Sequence, residues 1–179
     1  IVVPLRDSSG EITATLGVNH DVTERNQTRA ALQESEIQLR AIVEGAGIGI
    51  ALGNLQEGRI LKSNPALQSL LGYSEAELER MNFTEFTHPD DLAAEMALFG
   101  EIASGDRDSY QIEKRYICKD GQIVWVNVTV STIRDAEGQP KLAIGTVEDI
   151  SDRQHAAEAL RQSEAQFRQL AENIHEVFF

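Results

Sequence analysis

Apolar runs over Ile48-Gly49-Ile50-Ala51-Leu52 and Arg59-Ile60-Leu61-Lys62 predict two short strands around a polar turn. The period then becomes helical. Asn64 can cap and Pro65 fits a first helical turn, Leu67, Leu70 and Leu71 form an apolar face, and Gly72 is placed to end the helix. Ser74 and Glu77 have capping-box spacing for a second short helix. A longer helix is expected from His88-Pro89-Asp90-Asp91 to about Ala103, with Leu92, Met96 and Phe99 inward and Gly105 at its end. The rest alternates. Tyr110–Cys118, Gln122–Arg134 and Lys141–Asp149 read as a meander, turned at Lys119-Asp120-Gly121 and again at Asp135 to Gly138. Val124, Val126, Val128 and Val130 share one face of the middle strand and should cover a core; Trp125, Asn127, Thr129 and Ser131 share the other. These elements make an α+β domain, with short helices on one face of an antiparallel sheet.

A repeat sets the boundaries. Residues 6–40 align with 134–168 at an offset of 128 without a gap, and 12 of the 35 positions are identical. The expected organisation is the end of a preceding unit over 1–24, a linker helix over 25–44 and a complete domain over 45–150. A second linker helix follows over 151–172, and the first strand of another unit over 173–179. The chain therefore reads as a segment of a longer protein. Both linkers carry a 3-4 apolar pattern: Thr28, Leu32, Ser35, Leu39, Ile42 and Ala46 in one, Ala156, Leu160, Ser163, Phe167, Leu170 and Ile174 in the other. A parallel homodimeric coiled coil is expected, with Leu32, Leu39, Ile42, Leu160, Phe167 and Leu170 as its seam. The alternative is an amphipathic helix packed on its own sheet.

Sixteen Lys and Arg against 29 Asp and Glu give a net charge of −13, which argues against nucleic acid or an anionic membrane as partner. No stretch approaches the length of a membrane-spanning helix, so none is expected inside this segment, though the parent could be anchored elsewhere; the low cysteine usage suits a cytoplasmic location. A single cysteine, Cys118, excludes an internal disulfide and a thiolate-rich zinc site. No nucleophile–base set, glycine-rich phosphate loop or phosphoacceptor histidine box is present, so the segment is not expected to be an enzyme.

Several of these pieces together resemble the PAS family of sensor domains: Asn64-Pro65-Ala66, Leu71-Gly72-Tyr73-Ser74 with Glu77-Leu78, and His88-Pro89-Asp90-Asp91. So do the Lys119-Asp120-Gly121 turn followed by Trp125-Val126, and Gly145-Thr146 with Asp149-Ile150-Ser151-Asp152-Arg153. They occur in the family's order. The resemblance implies a five-stranded antiparallel sheet ordered 2-1-5-4-3, with a cavity between sheet and helices. It also implies a sensory or dimerising role upstream of an output domain, a histidine kinase first and a diguanylate cyclase or phosphodiesterase as the alternative. A ligand-free dimerisation spacer is the rival reading.

Within that frame, a small apolar cavity would be lined by Val124, Val126, Val128, Val130 and Val147, with Leu67, Leu70, Met96 and Phe99 opposite. Asp149, Ser151 and Arg153, and their counterparts Asp21, Thr23 and Arg25, stand at strand-to-helix junctions, where a carboxylate or hydroxyl can accept the free N–H groups of the first turn. Asp149 and Arg153 are also spaced to pair. The same residues would cap the helix in any case; the resemblance makes the cap a signal junction. Trp125 is a candidate dimer contact on the outer sheet face, or simply a half-exposed aromatic. His88 is the alternative ligand for a haem, but it precedes Pro at a helix start and capping or packing is the expected role. The family's flavin photosensors carry a reactive cysteine on a helix and a glutamine on the last strand; here that helix lacks a cysteine and Val147 stands on the strand. No cofactor is expected, and Cys118 reads as an ordinary strand residue.

Overall fold

The computed structural model describes residues 2–17 and 23–177, with side chains over 6–12 and 27–169. It divides into two units, Ile1–Ile42 and Val43–Phe179. The first holds the hairpin β1 (Val2–Arg6) and β2 (Ile12–Gly17) and most of helix α1 (Thr23–Gly45).

The second unit is built on β3 (Gly49–Asn54), β4 (Ile60–Ser63), β5 (Ser109–Ile117), β6 (Ile123–Arg134) and β7 (Pro140–Asp149). They form one antiparallel sheet in the order β4-β3-β7-β6-β5, which within the domain is 2-1-5-4-3. Between β4 and β5 lie α2 (Pro65–Leu71), α3 (Glu75–Leu78), a 3₁₀ turn over Phe83–Glu85 and α4 (Pro89–Ser104); α5 (Ser151–Val177) follows β7. Leu67, Leu71, Leu78 and Ile102 from the helices share one core with Val124, Val126, Val128 and Val130. Val126 is completely buried, as alternation on a half-covered sheet requires.

Caps set the helix limits. Asn64 accepts the Leu67 N–H at 3.0 Å, and Gly72 closes α2 at φ 76°, a conformation glycine adopts without strain. The same Asn64 side chain, 2% exposed, accepts from Ile50 N (2.8 Å) and donates to the carbonyls of Val43 (3.0 Å) and Ile48 (2.9 Å). One amide thus joins the end of α1, β3 and α2.

The repeat is visible in three dimensions. Val2↔Gly17, Leu5↔Ala14 and Arg6↔Ile12 pair in β1–β2 as Val130↔Gly145, Ile133↔Leu142 and Arg134↔Pro140 pair in β6–β7, with the register shift at the same place. Arg6 Nη1 donates to the Gly10 carbonyl at 2.8 Å, and Arg134 Nη1 to that of Gly138 at 3.0 Å.

Two expectations need correction. Residues 173–177, expected to begin a strand, continue α5. A strand needs partners for its backbone groups, whereas a helix satisfies them internally, and Asn173 replaces the Gly45 that ends α1. Met96, expected inward on α4, is 46% exposed. The inward face runs through Glu95 and Ile102, 2% and 0% exposed, one position out of phase with Met96.

Candidate functional site

Between the sheet's inner face and the helices lies a cavity of about 70 Å³. Leu67, Phe99, Val128, Val130 and Val147 line it, and Phe83, Phe86, Tyr110, Tyr116 and Glu95 are also part of the wall. Leu70 and Val124 lie instead around a surface hollow shared with Cys118, and Val126 is buried without reaching the cavity. The Cys118 thiol donates to the Leu70 carbonyl at 3.2 Å, and burial pushes its pKa up, which keeps it a thiol.

The charged floor of this cavity was not anticipated. Glu95 comes from α4 and Lys114 from β5; both are buried, and the Lys114 ammonium donates to Glu95 Oε1. Glu95 Oε2 accepts from the Thr87 hydroxyl at 3.0 Å, and Thr87 Oγ1 lies 3.4 Å from Lys114 Nζ. The ammonium also sits 4.6 Å from the centre of the Tyr116 ring and 5.8 Å from that of Phe83. Burial lowers the Lys114 pKa, opposed by the Glu95 carboxylate. The signal was the inward alternation Tyr110, Ile112, Lys114, Tyr116, in which the lysine shares a face with the aromatics.

At the domain's exit, backbone and side chains tie α5 to the sheet. Ile150 N donates to the Trp125 carbonyl (2.9 Å), Trp125 N to Ser151 Oγ (3.1 Å), and Ser151 N to Asp149 Oδ1 (2.8 Å). The Asp149–Arg153 pairing expected from spacing is not made. Arg153 reaches across to β5, where Glu113 accepts from Arg153 Nη2 at 2.7 Å and from Gln154 Nε2 at 3.0 Å. A β5 carboxylate in line with the helix start offers a geometry that Asp149, already bonded to Ser151, does not. Asp21 lies outside the described residues, and so do the side chains of Thr23 and Arg25.

Trp125 is half-buried on the outer face, with the Arg115 guanidinium 5.4 Å from its ring. Arg115 is itself held by Asp91, through Nη2–Oδ1 at 2.8 Å and Nε–Oδ2 at 2.9 Å, and these bonds hold the Asp91 pKa below its ordinary value. His88 caps α4, its Nδ1 accepting the Asp90 N–H at 3.3 Å, and does not line the cavity.

Beyond Gln154, α5 leaves the sheet. Leu160 and Phe167 are 62% and 73% exposed, and on α1 Leu32, Leu39 and Ile42 are as open, so none of these is covered within its own unit. The side chains of Leu170 and Ile174 lie outside the described residues. Among those residues, no helix is long and apolar enough to cross a membrane.

Residues 60–147 match the family model for the PAS fold. The domain over these residues belongs to that family. A probable diguanylate cyclase from Escherichia coli, DgcE, is 36% identical over 82% of this chain and 12% of its own length. The sensor histidine kinase TmoS of Ectopseudomonas mendocina is 29% identical over 81% of this chain and 15% of its own. The chain thus spans under a fifth of either relative. Among solved structures, a sensory box histidine kinase/response regulator from Burkholderia thailandensis superposes with a TM-score of 0.57 at 26% identity, covering 74% of this chain and 98% of that one. This is a PAS sensor domain of the kind found in signalling proteins, and such a domain is not itself catalytic.

Proposed function

We propose that this segment is a sensory module that dimerises through α1 and α5 and passes the state of its sheet along α5 to an output domain. The observation that carries this reading is the exit junction. Glu113 on β5 and Trp125 on β6 hold the first turn of α5, so a shift of those strands must move or release the helix. A histidine kinase is the output in this reading. A diguanylate cyclase is the second, favoured by the 36% identity to DgcE.

The exposed stripes support a second copy of this chain as partner. Leu160 makes no use of its own sheet, which disfavours the packed single helix. Thr28, Ser35 and Ser163 interrupt the stripes, so each coil is marginal alone, as an element with two packings of similar energy should be. The junction residues Asp149, Ser151 and Arg153, with Asp21, Thr23 and Arg25 in the other copy of the motif, are assigned to coupling. The module works in the cytoplasm without haem or flavin, and without nucleic acid or membrane contact.

Cysteines placed singly at Leu160 and Leu39, with Cys118→Ala, test the dimer. Each should crosslink to the same position in a partner at micromolar protein. A sedimentation monomer without crosslinks contradicts the reading and leaves a monomeric sensor or spacer. An intrinsic visible absorption band retained through gel filtration contradicts the cofactor-free assignment.

A further inference from the structure

Two helices of the domain close on their own glycines. Gly72 ends α2 and Gly105 ends α4, both left-handed, at φ 76° and 86°. Helix α1 ends differently. Neither Gly45 nor Gly47 has a positive φ. The Val43 carbonyl, in the last turn of α1 where no intrahelical donor reaches it, accepts instead from Asn64 Nδ2 at 3.0 Å. The end of α1 is thus closed from outside, by the residue that caps α2.

Capping α2 alone would need only an acceptor, which serine or aspartate supplies as well. Asn64 does more. Its oxygen accepts from Leu67 N and Ile50 N, and its amide nitrogen donates to the carbonyls of Val43 and Ile48. Those four bonds use both amide hydrogens and both lone pairs, a combination that neither serine nor aspartate can offer. The two donated bonds can be lost while the two accepted ones stay, so α1 can be released without uncapping α2.

The bonds to Ile48 and Ile50 grip the chain on either side of Gly49, where β3 begins. There α2 presses on the sheet: a Cβ at Gly49 would lie 3.1 Å from Leu67 Cδ1 and 3.2 Å from Val147 Cβ. Gly49 pairs with Val147 on β7, and further along the same strand Asp149 accepts the Ser151 N–H of α5. A continuous run of hydrogen bonds and close contacts therefore joins the end of α1 to the start of α5.

We propose that Asn64 is a mechanical input: it couples the state of α1 to the exit junction of α5, so the domain relays a change made upstream as well as one of its own. Helix α1 suits this part because it runs from the first unit into the second. The input adds to the proposed output along α5 and rests on that reading.

Amide hydrogen exchange on the full chain, followed by NMR, tests the coupling. Ala41→Pro breaks α1 at an exposed position just before its last turn. With Asn64 in place it should speed exchange at the Trp125 and Ser151 amides, which make the exit bonds, by about 5-fold or more. Asn64→Asp keeps both acceptor bonds and loses both donors. In that variant Ala41→Pro should add nothing at the exit. Coupling is reciprocal, so Ser151→Ala with Asn64 intact should speed exchange in the last turn of α1 by a similar factor. This second arm decides the matter even if Asn64→Asp unfolds. An Ala41→Pro effect of equal size with and without Asn64 overturns the proposal. So does an exit indifferent to Ala41→Pro, or an α1 end indifferent to Ser151→Ala. Coupling without Leu160 crosslinks keeps the input and contradicts the dimer. Crosslinks without coupling do the reverse.

Discussion

The domain interior and the two long helices use the same kinds of apolar side chain to opposite ends. Val126 and Ile102 are completely buried within their own unit, whereas Leu160 and Phe167 are left 62% and 73% exposed. The difference places stability in the sheet and its short helices; association through α1 and α5 is the proposed use of the exposed set. Substitutions in the two regions should therefore separate cleanly.

The largest effect belongs to the interior. Glu95→Gln or Lys114→Met alone leaves one buried group without its partner and should cost about 3–5 kcal/mol in urea unfolding. The double variant should recover much of that loss, because two neutral side chains replace a pair whose burial was costly from the start. Single and double variants equal in stability would mean the pair is not coupled. Next comes Asn64→Ala, which strands the N–H groups of Ile50 and Leu67 and frees the carbonyls of Val43 and Ile48; a loss of about 2–3 kcal/mol is expected, read from the same unfolding curves.

A smaller, pH-dependent effect is expected at Asp91. Its carboxylate is stabilised by Arg115 in the folded state, so its pKa lies below the ordinary 3.8. A depressed acid contributes stability that is full above the unfolded pKa and disappears as pH falls through the folded one. Asp91→Asn should cost about 1 kcal/mol at pH 7, and the gap to wild type should close on acidification below pH 3.8. A gap that persists at low pH would place the loss in packing rather than charge. Smallest for folding is Leu160→Ser, within about 0.5 kcal/mol for the domain, yet this change should abolish the dimer in sedimentation. Loss of domain stability instead would show that the stripe packs within one chain.

What was legible from sequence follows the range of the forces involved. Local caps were readable because their chemistry is confined to a few residues: Asn64 with Pro65 and Gly72, and Ser74 with Glu77, whose carboxylate accepts the Ser74 N–H at 3.0 Å. Sheet order came through the resemblance rather than through any pattern of alternation. The cavity floor was not readable. A glutamate on α4 and a lysine on β5 are each ordinarily solvent-facing, and only folding brings residues 95 and 114 together. The helical phase on α4 failed by one position because Met96 fits an apolar face as well as Glu95 fits a polar one. Arg153 found a partner 40 residues away, which spacing within a single turn cannot reveal.

The central claim is that the sheet holds and steers a dimeric helix through Glu113. Spin labels at Leu160→Cys in the Cys118→Ala background measure it directly, as the distance between two copies. One narrow, short distance is predicted, broadened or shifted by Glu113→Ala while the far-ultraviolet spectrum stays unchanged. A distance distribution identical with and without Glu113, or no dipolar coupling between copies, would contradict the account.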